Sequence, residues 1–208
     1  MTHMLELLSS NPLAFIVIFA GLLISVTIHE FAHAITADKL GDPTPRFQGR
    51  VTLDPRSHLD PLGVIMILLT RFGWGRPVEF DPYNLKDPKR DSAIIAVAGP
   101  VSNLIIAFII SVVLKSSLIP VIWLSAGLYQ VLILNVVLAV FNLVPVHPLD
   151  GSKIVTAFLP AQQAAEYEAF MHRYGMFVLI ALIMPWNGTS PIHSLIWPVI
   201  SFVVDFLI

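Results

Sequence analysis

Two histidines four residues apart, His29 and His33, enclose a glutamate, Glu30, and these three are the residues best suited to chemistry. On a helix, positions four apart lie on one face a turn apart, so both imidazoles can reach one divalent cation. Glu30 is then free to act on water held by that cation, the chemistry of zinc-dependent amide hydrolysis. A catalytic zinc ion takes three protein ligands and keeps a position for water. The chain has no cysteine, so the third ligand must be His, Asp or Glu. Asp150 is the candidate, in Asn142-Leu143-Val144-Pro145-Val146-His147-Pro148-Leu149-Asp150-Gly151. Pro145 and Pro148 each remove a helical N–H, and Gly151 permits a sharp exit. With neutral His29 and His33, a zinc ion, Asp150 and Glu30 sum to zero formal charge. A neutral cluster is far cheaper to bury below a membrane surface than a lone carboxylate.

The elements that must position these residues are membrane helices. Of the 208 residues, 56% are hydrophobic and only 12% charged, whereas a soluble domain carries about 25% charged residues. The expected fold is an all-α polytopic membrane protein made of one membrane-embedded domain, residues 1–208. A span needs about 20 apolar residues. Core spans are expected over residues 12–37, 93–114 and 119–143, with a last pair within 172–208 split at residues 187–191, five in all. Residues 38–91 hold a ten-residue apolar run, 61–70, before the breaker-rich Gly73-Trp74-Gly75-Arg76-Pro77. This run is too short to span and is expected to be re-entrant, interfacial or strand-like, with strands at residues 51–53 and 77–80. Residues 153–173 are polar enough for a helix or turn outside the membrane.

Lys and Arg set the orientation. Nine of the twelve lie between Lys39 and Arg90, none precedes Lys39, and an excess of Lys and Arg marks the cytoplasmic loop. Five spans then place Lys153 and Arg173 inside as well, leaving Lys115 outside. The N-terminus is expected outside and the C-terminus inside. The first and third core spans bring His29, His33 and Asp150 to one depth on the cytoplasmic side. Residues 1–10 lack the Lys/Arg region of a signal peptide.

His29-Glu30-Phe31-Ala32-His33 in a membrane helix, with Asn142, Pro145 and Asp150-Gly151 closing a later one, resembles the site-2 protease family of intramembrane zinc metalloproteases. Ala98-Gly99-Pro100-Val101-Ser102-Asn103 and His58-Leu59-Asp60-Pro61-Leu62-Gly63 are similar to further patterns of that family. The match covers residues 20–160 and suits a compact form, without an appended regulatory domain or the helix that precedes the metal helix in many members. The resemblance implies His29, His33 and Asp150 as ligands of one Zn²⁺, and Glu30 as general base. Asn142 is expected to donate to the oxyanion. The implied substrate is a transmembrane segment of another protein, cut within the bilayer. No nucleic-acid partner is expected, and the expected location is a prokaryotic cytoplasmic membrane.

Such a substrate has to unwind, and an extended element in residues 51–80 is expected to pair with it. Asn103 reads as a packing residue, His147 and His58 as interfacial loop residues, and His172 as structural. Two other functions use the same cluster: a divalent-metal-binding protein or transporter, and a catalytically inactive binding protein. A transporter is expected to carry repeated halves, and no second copy of the motif is present. An inactive metal site has no use for Glu30, which is not a ligand.

Overall fold

The structure, a computed structural model, describes residues 4–70, 73–116, 119–186 and 188–208. Asn187, part of the expected break in the last apolar pair, lies outside the described residues. The helices are α1 (Met4–Ser10), α2 (Pro12–Leu40), α3 (Thr44–Phe47), α4 (Pro55–His58), α5 (Pro61–Thr70), α6 (Pro88–Lys115), α7 (Ile122–Asn142), α8 (Asp150–Phe158), α9 (Ala161–Ile183) and α10 (Pro191–Leu207). A 3₁₀ turn covers Pro82–Asn84.

Three of these, α2, α6 and α7, are long and apolar enough to cross a membrane. α2 and α6 run beyond the expected limits because their caps lie further out, whereas α7 falls just within its expected span. At the start of α2, the Asn11 side chain accepts the Ala14 N–H at 3.1 Å, and Pro12 sits where a missing N–H costs nothing. Gly41, at φ 112, ends α2 in the left-handed conformation and gives its N–H to the last carbonyls. Asp87 caps α6 by accepting the Arg90 N–H.

The three helices pack pairwise into a trio. At its core, Leu132, Val136 and Ala107 are buried, and Ile200 and Leu207 of α10 join them. Gly21 and Gly127 let α2 and α7 approach closely: a Cβ at Gly127 would lie 2.9 Å from the Val17 side chain. Outward-facing apolar residues such as Ile16, Ile24, Ile105 and Phe108 remain more than half exposed, as expected of a surface that lipid covers.

The last apolar pair corresponds to α9 and α10. The helix that becomes α9 starts at Ala161, earlier than expected, so part of the polar stretch continues into it. Residues 153–173 are therefore divided between α8 and α9.

The strand expectation fails. Among the described residues there is no strand, only two isolated bridges, Leu59 with Gly75 and Trp186 with Thr189. Residues 51 and 52 form a bend, and the Thr52 carbonyl is taken by His58 Nε2–H at 2.7 Å. Residues 77–80 have no adjacent strand with which to build a ladder. The apolar run Pro61–Thr70 is helical; with Gly63 its one glycine, its period satisfies its own backbone.

Candidate metal centre

Each ligand candidate is carried by a different constraint. His29 and His33 project from successive turns of α2. Asp150 is the first residue of α8, reached through residues 143–149. Within that stretch Val144, Val146 and Leu149 are buried against Leu179 of α9 and Ile192 of α10, which anchors the non-helical backbone. Gly151 has no room for a side chain, since a Cβ there would strike the Leu143 and Val144 carbonyl oxygens. The chain therefore folds back tightly where Asp150 is presented.

The three donor atoms converge. His29 Nε2 and His33 Nε2 lie 3.1 Å apart, and Asp150 Oδ2 is 3.2 Å from the first and 3.3 Å from the second. Bonds of about 2.0–2.2 Å to a tetrahedral zinc ion require donor separations of roughly 3.3–3.5 Å. The triangle meets that requirement within a few tenths of an ångström. His29 and His33 are buried, and Asp150 Oδ2 is a buried oxygen with no hydrogen-bond partner. A carboxylate oxygen left bare between two imidazole nitrogens fits a cation between them.

The far side of each imidazole fixes its tautomer. His29 Nδ1–H donates to Asn103 Oδ1 at 2.6 Å, and His33 Nδ1–H donates to the Ile95 carbonyl at 2.7 Å. Both Nε2 lone pairs are thereby aimed at the centre. Gly99 is the closest point of α6: a Cβ there would crowd both imidazoles, 2.6 Å from His29 Nε2. A hydrogen is all that this position can hold beside a bound ion.

Asn103 has a second role, as the hub of a polar chain linking the trio. Its amide donates to Asn135 Oδ1 at 3.0 Å, and Asn135 donates to Ser25 Oγ at 2.8 Å. Ser25 in turn donates to the Gly21 carbonyl at 2.6 Å. Asn103 and Asn135 are fully buried. The reading of Asn103 as packing was incomplete: it packs, and it orients a metal ligand.

Glu30, next to His29 on α2, reaches the layer formed by residues 41–87. Its Oε2 lies 3.9 Å from Arg50 Nη2, and a Cβ at Gly75 would lie 3.3 Å from Oε1. Arg50 is 4% exposed, and its Nη2 also donates to the Arg76 carbonyl. Burial pushes the Arg50 guanidinium below its usual range, and Glu30 pulls it back up.

Residues 17–121 and 118–185 match the profile of Peptidase family M50. The chain belongs to that family. It is 39% identical over 189 residues to the putative zinc metalloprotease YwhC of Bacillus subtilis, covering 86% of this chain and 84% of that one. It is 31% identical over 192 residues to the putative zinc metalloprotease Rip2 of Mycobacterium tuberculosis, covering 86% and 73%. The zinc metalloprotease MJ0392 of Methanocaldococcus jannaschii is 28% identical over 150 residues, covering 72% of this chain and 36% of that one. No solved structure matches.

Of the residues singled out in this M50 chain by sequence, His29, His33 and Asp150 come together, with Glu30 beside them. Asn142 ends α7, and its side-chain amide donates to the Leu138 carbonyl at 2.9 Å. His58, read as an interfacial loop residue, instead ends α4 and is fully buried, with Nδ1 unpartnered among the described residues, and burial lowers its basicity. His172, read as isolated, lies with its ring 4.7 Å from that of His147. Arg50 carries no role in the sequence reading, Gly99 none beyond its motif, and Asn103 only a packing one. For Asn103 a signal existed, because a lone amide in an apolar span needs a polar partner. For Arg50 none did, since its place depends on how residues 41–87 fold.

Proposed function

We propose that this chain is an intramembrane zinc metalloprotease that hydrolyses a peptide bond in or near a transmembrane segment of another membrane protein, as in regulated intramembrane proteolysis. The observation that carries it is the triangle of two Nε2 atoms and one carboxylate oxygen, with a non-ligand glutamate on the same helix. His29, His33 and Asp150 would hold Zn²⁺, which supplies a Lewis acid and makes water acidic enough to react near neutral pH. Glu30 takes the proton of the attacking water on its carboxylate and passes it to the departing amine. Arg50 keeps that carboxylate directed. Asn142 holds one amide hydrogen on Leu138 and has a second free to donate to the oxyanion.

Residues 77–80 support a role in receiving unwound substrate. Among the described residues Val78, Glu79 and Phe80 make no backbone–backbone hydrogen bond, and the adjoining Gly75 backbone runs alongside Glu30. An extended substrate can pair with this edge and recover the hydrogen bonds it loses on unwinding. Proline at Val78 or Phe80 is expected to impair cleavage while zinc stays bound. Unchanged cleavage overturns this role.

In the membrane, α9 and α10 complete five crossings and α5 forms a re-entrant element on the cytoplasmic side. The Lys and Arg distribution supports that orientation, and it puts the centre toward the cytoplasm. Transport and inactive binding are less well supported, because both leave Glu30 without a task.

The test is incubation of purified protein with tagged transmembrane segments, alongside metal analysis. Wild type is expected to bind one zinc per chain and cut a subset of segments. Glu30→Gln is expected to keep the zinc and lose the cutting. Cleavage persisting in Glu30→Gln refutes the mechanism.

A further inference from the structure

Beside the metal centre lies a cavity of about 240 Å³ whose lining is rich in donors without partners. Lys153, His147, His172 and Ser92 all face it, and none of their side chains makes a hydrogen bond or ion pair among the described residues. Lys153 follows Asp150 by three residues on α8, so the two side chains share a helix face. Its ammonium rests 4.4 Å from the centre of the Phe80 ring, at the end of the edge proposed to receive substrate. His147 belongs to the stretch that delivers Asp150, and His172 stands beside it from α9.

Electrostatics agree with the geometry. Burial pushes the Lys153 ammonium below the usual lysine range, and Asp150 and Glu30 pull it back, so Lys153 lies within reach of the catalytic carboxylates. Burial also lowers the basicity of His147, reinforced by His172 and Lys153 as like-charged neighbours. His147 thus offers an imidazole N–H beside the Lys153 side chain. Glu168 is the one acid lining the cavity; it is exposed and forms no ion pair with Lys153. What such a site lacks is an acceptor bearing negative charge.

We propose that this cavity is a specificity subsite for a side-chain carboxylate of the substrate, with Lys153 as its cationic anchor and His147, His172 and Ser92 as further donors. The subsite rests on the protease reading above. It predicts that this enzyme selects segments with an Asp or Glu near the scissile bond. Lys153 is exposed, and its place over the Phe80 ring positions the ammonium, so a carboxylate arriving there meets a prepared partner.

Binding without turnover separates this proposal from the reading on which it rests. Full-length Glu30→Gln protein in lipid nanodiscs is titrated with fluorescent single-span segments. These carry one Glu at successive positions, with matched Gln and Lys series. At one or two adjacent positions Glu is expected to bind at least about tenfold tighter than Gln, and Lys weaker than Gln. Adding Lys153→Met is expected to bring the Glu-to-Gln ratio to within about twofold while zinc content holds, and Lys153→Arg to restore most of it. Equal binding of all three series overturns the subsite, with no variant needed. So does a preference that survives Lys153→Met. Failure of the wild-type protein to cut any segment counts against the protease reading, and the binding series still decides the subsite.

Discussion

The candidate metal ligands on α2 and the glutamate between them are held by two different kinds of structure. His29 and His33 sit in a trio of long helices, where spacing along α2, the buried Asn103–Asn135 amides and the Ile95 carbonyl hold the two rings. Glu30 faces a layer of short turns, residues 41–87, in which single side chains pin the backbone. Asp42 is the plainest of these pins. Its carboxylate accepts from Thr44 N–H and Oγ1–H, from the Asn84 amide at 2.8 Å and from Asp81 N–H at 2.7 Å, tying residue 42 to residues 81–84. His58 ties Thr52, and Arg50 ties Arg76 to Glu30. Helices here orient the two candidate histidine ligands, and stapled loops hold the proposed base. Metal affinity and proton transfer should therefore respond to different substitutions.

The largest effects should come from the ligands and the base. His33→Ala or Asp150→Asn is expected to abolish both zinc content and cleavage, whereas Glu30→Gln keeps zinc and loses on the order of 10²–10⁴ in rate. Parallel metal analysis and kinetics check the pair; zinc loss in Glu30→Gln would merge the two regions into one. Asn103→Leu comes next. It removes the acceptor of His29 Nδ1–H, and an outer-shell loss of this kind weakens metal binding by about 10–100-fold. Competition against a chelator measures it, and an unchanged affinity breaks the assignment of the metal to the trio.

Arg50→Met is expected to leave zinc in place while lowering turnover. It should also reduce stability by about 2 kcal/mol, the worth of a charged hydrogen bond. Thermal unfolding and kcat on one preparation test both parts. The smallest effect is acid sensitivity of the layer. Burial pushes the Asp42 carboxyl up, but the hydrogen bonds from Thr44, Asn84 and Asp81 outweigh it and hold the group below the ordinary carboxylate range. Its contribution to stability is thus present above the unfolded value of about 4 and lost as pH falls through the lower folded value. Hydrogen exchange across residues 41–87 should quicken in that acidic range in the wild type. Asp42→Asn should exchange quickly already at neutral pH and show no such acid transition; slow neutral exchange in that variant refutes the pin.

Much of the trio could be read from residue order. Apolar runs gave its three spans, and a four-residue spacing gave the ligand pair. Asp150 followed from the two prolines and the glycine that shape its approach. The layer could not be read this way. Residues 51–53 and 77–80 look like strands by composition, but strands exist only where a neighbour pairs with them, and none is present. Arg50 and Asp42 owe their burial to contacts across 26 to 42 positions of chain, which no local pattern encodes. Asn103 falls between the cases: its polarity flagged it, but only the packing of α2 on α6 revealed that its partner is His29.

The hydrogen-bonded run from His29 through Asn103, Asn135 and Ser25 also bears on traffic. It closes a ring around α2, α6 and α7, crossing every seam of the trio once. Separating any one of these helices from the other two would strip at least two buried hydrogen bonds in hydrocarbon, at about 1 kcal/mol each. Moving α2 off α6 would also release the His29 ring. The seams of the trio are thus costly places to open, which favours the flank beside Gly75 and residues 77–80 as the side on which a substrate segment would approach.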